Sequence, residues 1–489
     1  MSASLVDLSH HKEFNSTVYN RCIKVPIKLF GNKSAATEWA ETFKTKVEEF
    51  KGRSVVIMIY DPVIVTTKYV VLPWFLKNDL ELVLNIQVPE IPLTCEYTRE
   101  FEFATDLWET KQNLVEIIHE QLLSDRGATL SLDTGKGKTV ILSKIIQKLK
   151  PQNTVIFAGN VTLATQMLND VMLHLNLSRS DILMIGGSAT KEEKKLCADM
   201  DWNELKFYPI TISIIGSANN ILKKYPKYWN NYGLAIYDEC HKFCANKSRL
   251  LMFKVTTDYK LSLSATVDKY WNYKLIPHSS GKIIHGDDYI HVDKMKGIVH
   301  LIKYYGPPEY TKQLKNTGGL TCVSAMSKQF SFDETRMDII MKYVRELLAR
   351  DHNIFVFTNI NLMVDVVYDT YMLEKPDDII AGKINIETTK DEAVYAKAHA
   401  NVIFINYSSG SDGLNIPRMT GMIFGSSFRN NGKQISGRAL RASYKKDKVR
   451  EFVDIVDCGT SIGNQLTDRI KVWRDREFEI REQKIRYNC

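Results

Sequence analysis

Nowhere in the 489-residue chain do apolar residues run for the roughly 18 consecutive positions that a membrane-spanning helix requires, so no membrane partner is expected. The start, MSASLVDLSHHKEF, also lacks the apolar centre of a signal peptide. Eight cysteines, Cys22, Cys95, Cys197, Cys240, Cys244, Cys322, Cys458 and Cys489, show no paired CxxC spacing, which excludes a small disulfide framework. They read as reduced thiols, and an intracellular, soluble protein is expected. Cys240, His241 and Cys244 lie close together, but no second ligand pair follows at the distance a zinc site needs. Strong charge of one sign is missing too. The formal net charge of +8 is small for this length, so composition by itself argues only weakly for a polyanion partner.

What is present is an ordinary globular composition, 44% hydrophobic and 25% charged, spread over more residues than the about 100 to 200 of one domain. Two or three domains are expected. In residues 1–104, an N-terminal accessory α+β domain, Trp39, Phe43, Val47 and Phe50 recur at helical spacing before the strand-like runs SVVIMIY and KYVVLPWF. From residue 105 apolar strands alternate with amphipathic helices: ATLSLD, a helix from Lys138, NTVIFAG, LATQMLNDVMLHL, ITISIIG and GLAIYDEC. A second series begins with a helix over 334–350 and continues through NIFVFTN, a helix near 362–371, NVIFINY, GMIFGSS and EFVDIVD. Such alternation predicts βαβ units around buried parallel sheets. The fold class is therefore α/β, with tandem parallel-sheet domains at 105–275 and 333–460. Residues 276–332, with turn signals at Gly306-Pro307-Pro308 and Gly318-Gly319, are expected to be a linker and insertion. Residues 461–489 are expected to be a basic tail, an electrostatic track with Trp473 as a candidate stacking platform.

After ATLSLD comes LDTGKGKT, Leu132 to Thr139, and then the helix VILSKIIQKL. Strand, glycine loop and helix is the order a triphosphate site requires. Gly135 and Gly137 let the loop curl so that its backbone N–H groups, from Thr134 through Lys136 to Lys138, face phosphate, while the helix N-terminus adds its positive dipole end. Lys138 is placed to reach the β- and γ-phosphates, and the Thr139 hydroxyl to ligate Mg²⁺. Leu132 stands where the general pattern has glycine, so the segment alone also fits a glycine-rich surface turn.

About a hundred residues later GLAIY ends in Asp238-Glu239-Cys240-His241, two adjacent carboxylates at the end of a strand, where α/β sites lie. Asp238 is the candidate to hold Mg²⁺ through water, and Glu239 to orient and deprotonate an attacking water. Further on, QISGRALR sets Arg438 and Arg441 at i, i+3 on one helix face, a pair suited to a γ-phosphate.

In their order these segments resemble the motifs of the superfamily 2 helicases, of the DEAD/H-like kind with a DECH box. Leu263-Ser264-Ala265-Thr266 matches the SAT motif, and Gln434 to Arg441 matches QxxGRxxR. Gln112 sits where the family places an adenine-reading glutamine. Leu163 and Gln166 resemble motif Ia, Ile215-Gly216-Ser217 motif Ib, and Phe357-Thr358-Asn359 motif IV. Ser411 to Pro417 resembles motif V, with Asn415 where many relatives carry aspartate. Leu132, the DECH box and QxxGRxxR are similar to the UvsW-like and XPB-like DNA helicases and to the late-transcription helicases of nucleocytoplasmic large DNA viruses.

The resemblance covers about residues 107 to 457 and implies two RecA-like folds. It implies ATP and Mg²⁺ as cofactors and Lys138, Glu239, Arg438 and Arg441 as catalytic residues, the arginines acting as fingers from the second domain. It also implies Gln112, Thr134, Gly135, Lys136, Gly137, Lys138, Thr139, Gly413 and Gln434 as nucleotide-binding residues. Thr139 and Asp238 are the implied Mg²⁺ ligands, and His241, Ser264 and Thr266 couple hydrolysis to domain movement. The implied partner is nucleic acid, DNA ahead of RNA, in the setting of transcription or replication machinery. A monomer is expected, and a viral member would work in host cytoplasm or nucleus and in the virion. An RNA helicase, or a translocase that displaces transcripts or proteins without separating strands, are the alternatives. A nucleic-acid-binding scaffold with a dead ATP site is opposed by the joint presence of Lys138, Thr139, Asp238, Glu239 and Arg441.

Overall fold

The β-branched and aromatic runs become the strands of two seven-stranded parallel sheets in the computed structural model. It describes residues 4–7, 21–51, 54–90, 92–107, 109–133, 135–187, 189–199, 208–244, 248–267, 274–290, 296–315, 321–407, 409, 416–427 and 447–487. The chain divides into two units, Met1–His291 and Val292–Cys489.

The first unit opens with β1 (Ser4–Asp7), β2 (Arg21–Pro26), β3 (Thr45–Lys51), β4 (Ser54–Tyr60), β5 (Ile64–Val65) and β6 (Tyr69–Pro73). β1, β2, β6 and β5 form a small antiparallel sheet, and β3 pairs with β4 as a separate hairpin. The helical spacing from Trp39 to Phe50 is overruled here. The helix Lys33–Glu41 stops before Thr42, and Val47 and Phe50 lie on β3 opposite Met58 and Val55. The β-branched run SVVIMIY supplies a pairing partner, and long-range pairing outweighs a weak local helical pattern.

The larger sheet of this unit contains β7 (Gly127–Ser131), β8 (Thr154–Ala158), β9 (Ile182–Ile185), β10 (Ile210–Ile214), β11 (Leu234–Asp238), β12 (Tyr259–Ser264) and β13 (Ile283–His285). Their order is β13-β7-β12-β11-β8-β10-β9, with every pairing parallel. β8, β11 and β12 are buried along their whole length, as strands covered by helices on both faces must be. Phe157, Trp229, Tyr237 and Phe243 anchor one face of the core. The small sheet is tied to this domain through the segment before it. Buried Asp258 accepts hydrogen bonds from Thr94 N at 2.8 Å, Cys95 N at 2.9 Å and Tyr97 OH at 3.0 Å.

The second unit contains β14 (Gly297–Tyr305), β15 (Asn353–Thr358), β16 (Ala381–Ile384), β17 (Val402–Asn406), β18 (Met419–Phe424), β19 (Arg450–Asp457) and β20 (Glu479–Arg486). Their order is β16-β17-β15-β18-β19-β14-β20, again all parallel. Both units thus carry a RecA-like parallel sheet. Two expectations are corrected. Residues 276–332 are not simply linker and insertion, because β13 joins the first sheet and β14 is an interior strand of the second. Residues 461–489 are not a free basic tail either. The helix Leu466–Asp475 packs Trp473 at 1% exposure against Phe452, Phe424 and Phe478, and Arg469 is buried against Asp454 with Nε 2.9 Å from Oδ2. A tryptophan enclosed by three aromatic rings is not a stacking platform for bases. Its indole N–H is committed to Asp454 Oδ2 at 3.3 Å.

Candidate active site

Strand order brings together segments that are far apart in the chain. β12 lies between β7 and β11, with Ser264 opposite Ser131 and Leu263 opposite Asp238. The loop after β7, the carboxylates at the end of β11 and the Ser264-Ala265-Thr266 segment therefore share the carboxyl edge of three neighbouring strands. That is where open α/β sheets carry ligands.

The loop has the backbone its glycines allow. Gly135 at φ +83° and Gly137 at φ +90° both occupy the left-handed region, and the chain then turns directly into the helix Lys138–Leu149. Lys138 Nζ donates to the Leu132 carbonyl at 3.1 Å, across the loop. Thr139 stands in the first turn, its carbonyl accepting from Ser143 Oγ at 2.9 Å. At the root, Leu132 N donates to the Ser264 carbonyl at 3.0 Å. The Leu132 side chain is fully buried and, with Leu114 and Leu130, surrounds the point where Gly286 would carry a Cβ. A packing role thus accounts for leucine where the general pattern has glycine.

Asp238 is buried. Desolvation and the adjacent Glu239 carboxylate push its pKa up, and the Lys138 charge opposes them. Glu239 adopts φ +52°, which costs a non-glycine residue roughly 1–2 kcal/mol. Its Oε2 lies 3.3 Å from His241 Nδ1. The same nitrogen is 2.7 Å from Ser264 Oγ and 3.5 Å from Thr266 Oγ1, and Thr266 N donates to Ser264 Oγ at 3.0 Å. One buried imidazole nitrogen therefore lies within 3.5 Å of both the candidate water-activating carboxylate and the hydroxyls of the SAT segment.

Other sequence-derived site residues fare differently. Gln112 is exposed, with its amide donating to the Leu107 carbonyl at 3.3 Å. Lys136 pairs with Asp287, Nζ to Oδ1, at 2.7 Å. Thr134, Gly413, Gln434, Arg438 and Arg441 lie outside the described residues. Sequence reasoning misses two neighbours of the loop. Lys111, half-buried and lowered in pKa by desolvation, brings its Nζ to 3.0 Å from where Gly137 would carry a Cβ; its position beside Gln112 was the available signal. Asp287 belongs to a stretch read as linker, where no local pattern marked it. Among the described residues no group of three or more His, Cys, Asp and Glu side chains forms a metal cage; Cys240 and Cys244 are buried, with Cys244 Sγ 3.8 Å from the Cys240 carbonyl.

The other half of the same sheet edge, at β8, β10 and β9, is built from helix starts and glycines. Asn160 Oδ1 accepts from Leu163 N at 2.9 Å and caps the helix Val161–His174. The helix Ile215–Lys224 starts directly after β10. After β9, Gly186 and Gly187 take φ +82° and +55°. A Cβ on Gly186 would meet Ser217 Oγ at 2.0 Å, and one on Gly187 would meet Val161 Cγ2 at 2.5 Å. The segments read as motifs Ia and Ib thus pack around a glycine pair that the sequence reading passed over.

Residues 105–269 match the family model described as "Type III restriction enzyme, res subunit". A protein of African swine fever virus named putative ATP-dependent RNA helicase QP509L is 24% identical over 441 residues, covering 84% of this chain and 81% of the relative. The chain is similar to ATP-dependent superfamily 2 helicases. A second relative, ATP-dependent DNA helicase uvsW of enterobacteria phage T4, is 22% identical over 361 residues, covering 68% of the chain and 66% of the relative. Among solved structures, S. cerevisiae Dbp5 bound to RNA and ADP BeF3 aligns with a TM-score of 0.53 at 13% identity, over 84% of this chain and 93% of that one. This last likeness is one of fold. No helix among the described residues is long and apolar enough to cross a membrane.

Proposed function

We propose that the chain is a superfamily 2 helicase that hydrolyses ATP at the β7-β12-β11 edge to move along DNA gripped at the β8-β10-β9 edge. The observation that carries this reading is the shared carboxyl edge: loop, carboxylates and SAT segment occupy three adjacent strand tips, the helix starts of motifs Ia and Ib occupy the next two, and Gly186-Gly187 follows the last. Lys138 neutralises the β- and γ-phosphates from the first turn of its helix. Thr139 and Asp238 offer the hard oxygen donors that suit Mg²⁺, which when bound supplies positive charge to the phosphate oxygens. Glu239 orients water and accepts its proton. Arg438 and Arg441 neutralise charge developing on the γ-phosphate, a role that rests on the resemblance alone. Helix N-termini at Asn160 and Ile215 present backbone N–H groups and positive dipole ends to strand phosphates.

DNA is favoured because the matching family model is that of a restriction enzyme subunit and the phage relative is named a DNA helicase. The African swine fever virus relative is named an RNA helicase, which supports RNA as the second reading. We place the helicase as a monomer acting beside viral transcription or replication machinery. The test is an ATPase and strand-displacement panel across single-stranded DNA, forked and branched DNA, RNA and hybrids. DNA-stimulated turnover with displacement of forked or branched duplexes is expected. Stimulation by RNA but not DNA overturns the DNA assignment, and DNA-stimulated turnover without displacement marks a translocase that does not separate strands.

A further inference from the structure

Two turns meet at the root of the phosphate loop, and only one belongs to the loop. The turn Gly286–Asp288 follows β13. Gly286 is so tightly enclosed that a Cβ there would lie 2.9 Å from Leu130 Cδ1, 3.0 Å from Leu114 Cδ2 and 3.1 Å from Leu132 Cδ1. All three leucines are buried, so the turn cannot shift without disturbing the core beneath the loop. That seating fixes the next residue. Asp287 Oδ1 accepts from Lys136 Nζ at 2.7 Å and stands 3.5 Å from Asp133 N. Lys136 sits between Gly135 and Gly137, the two left-handed glycines, where the backbone has the most freedom to lose. The loop is held at its root by the Leu132–Ser264 backbone bond and at its crest by Asp287.

We propose that Asp287 is a positioning residue for nucleotide binding. By holding Lys136 it keeps the glycine loop curled before a triphosphate arrives, so that less ordering is required on binding. The carboxylate is not itself a phosphate ligand, since two anions would repel. Lys136 is correspondingly a part of the loop's frame and not a phosphate-contacting cation. Both side chains are partly exposed, at 25% and 37%, so the effect is modest, within the range of a surface ion pair. The proposal rests on the reading of this loop as the ATP site.

The test measures the Kd of Mg²⁺-bound fluorescent ADP, the KM for ATP and the melting temperature in the full chain. Asp287→Ala and Lys136→Ala are each expected to raise Kd about 3- to 5-fold, and the double variant to raise it no further than either single change. Asp287→Glu, which keeps the carboxylate, is expected to restore Kd to within about 2-fold. For Asp287→Ala the change falls on KM, with kcat at saturating ATP and the melting temperature held. An unchanged Kd in both single variants, fully additive effects, or a lowered melting temperature with unchanged Kd overturns the proposal. Lys138→Ala separates the two levels. If it abolishes nucleotide binding while Asp287→Ala has no effect, the ATP site stands and the positioning role fails. If Lys138→Ala leaves binding intact, the ATP-site reading fails as well.

Discussion

His241 Nδ1 lies 2.7 Å from Ser264 Oγ, and both side chains are buried. The contact links the end of β11 to the end of β12, and Glu239 Oε2 lies 3.3 Å from the same nitrogen. Removing either partner should break the link between β11, which carries the proposed water-activating carboxylate, and the SAT segment. We expect His241→Ala and Ser264→Ala each to lower the ratio of nucleic-acid-stimulated to basal ATPase at least 5-fold, about 1 kcal/mol of coupling. The double variant should be no worse than the more severe single one. Steady-state ATPase assays with and without DNA check this, and unaltered stimulation in both single variants would falsify the coupling role.

Lys138 and Glu239 should separate binding from chemistry. Lys138→Ala is expected to weaken nucleotide binding by at least 10-fold, because a cation aimed at phosphate is lost. Glu239→Gln keeps shape and polarity but removes the base. It should bind ATP nearly as wild type while turnover falls about 10²- to 10⁴-fold. Single-turnover hydrolysis beside equilibrium binding distinguishes them. A Glu239→Gln variant with normal kcat would remove Glu239 from the chemistry.

Grip through strand phosphates predicts strong salt dependence. For single-stranded DNA, the logarithm of the binding constant should fall linearly with the logarithm of salt concentration, with a slope of about −0.7 for each phosphate neutralised. Fluorescence anisotropy from 50 to 200 mM salt, roughly the range over which such contacts are released, measures it. A flat response would point to a polymer held mainly by base contacts.

Burial pushes the His278 imidazole down to about 4, with the Phe43 ring packed edge-on 6.5 Å away. The unfolded chain binds this proton near pH 6.5, so between about pH 4 and 6.5 the unfolded state holds more protons and stability rises with pH. The contribution is fully present above about pH 6.5 and is lost as pH falls towards 4, by at most roughly 3 kcal/mol. Urea midpoints of the wild type should fall relative to those of His278→Gln as pH drops through this window. Parallel curves would exclude His278 as the cause.

Arg336 is completely buried in the second unit. It ion-pairs with Asp457 and donates from Nη1 to the Gly425 carbonyl at 2.9 Å, while Asp457 Oδ2 accepts from Ser427 N at 3.0 Å. Arg336→Ala leaves Asp457 buried without its cation and is expected to destabilise the second unit by about 3–5 kcal/mol. Replacing both Arg336 and Asp457 with apolar residues should cost less than the single change. Denaturant unfolding monitored in the full chain checks the order.

The amino-acid sequence by itself determined which segments become strands and helices of the two α/β halves, because that information is local. Apolar runs such as TVIFA and LAIYD, the glycines at 135 and 137 and the cap at Asn160 act within a few neighbouring residues. The places of Lys138 and Thr139 at a helix start and of Asp238 and Glu239 at a strand end were legible for the same reason. Tertiary structure decided what depends on a partner elsewhere in the chain. Trp39 to Phe50 read as one helix until β4 claimed Val47 and Phe50 for a hairpin. β14 and β20 have no local mark of belonging to the second sheet. Trp473 became core because three distant rings enclose it. Placing β12 between β7 and β11 put His241 against Ser264, and adding β13 beyond β7 brought Asp287 to Lys136. Strand neighbours are chosen by packing across the whole domain, and no window of sequence contains that choice.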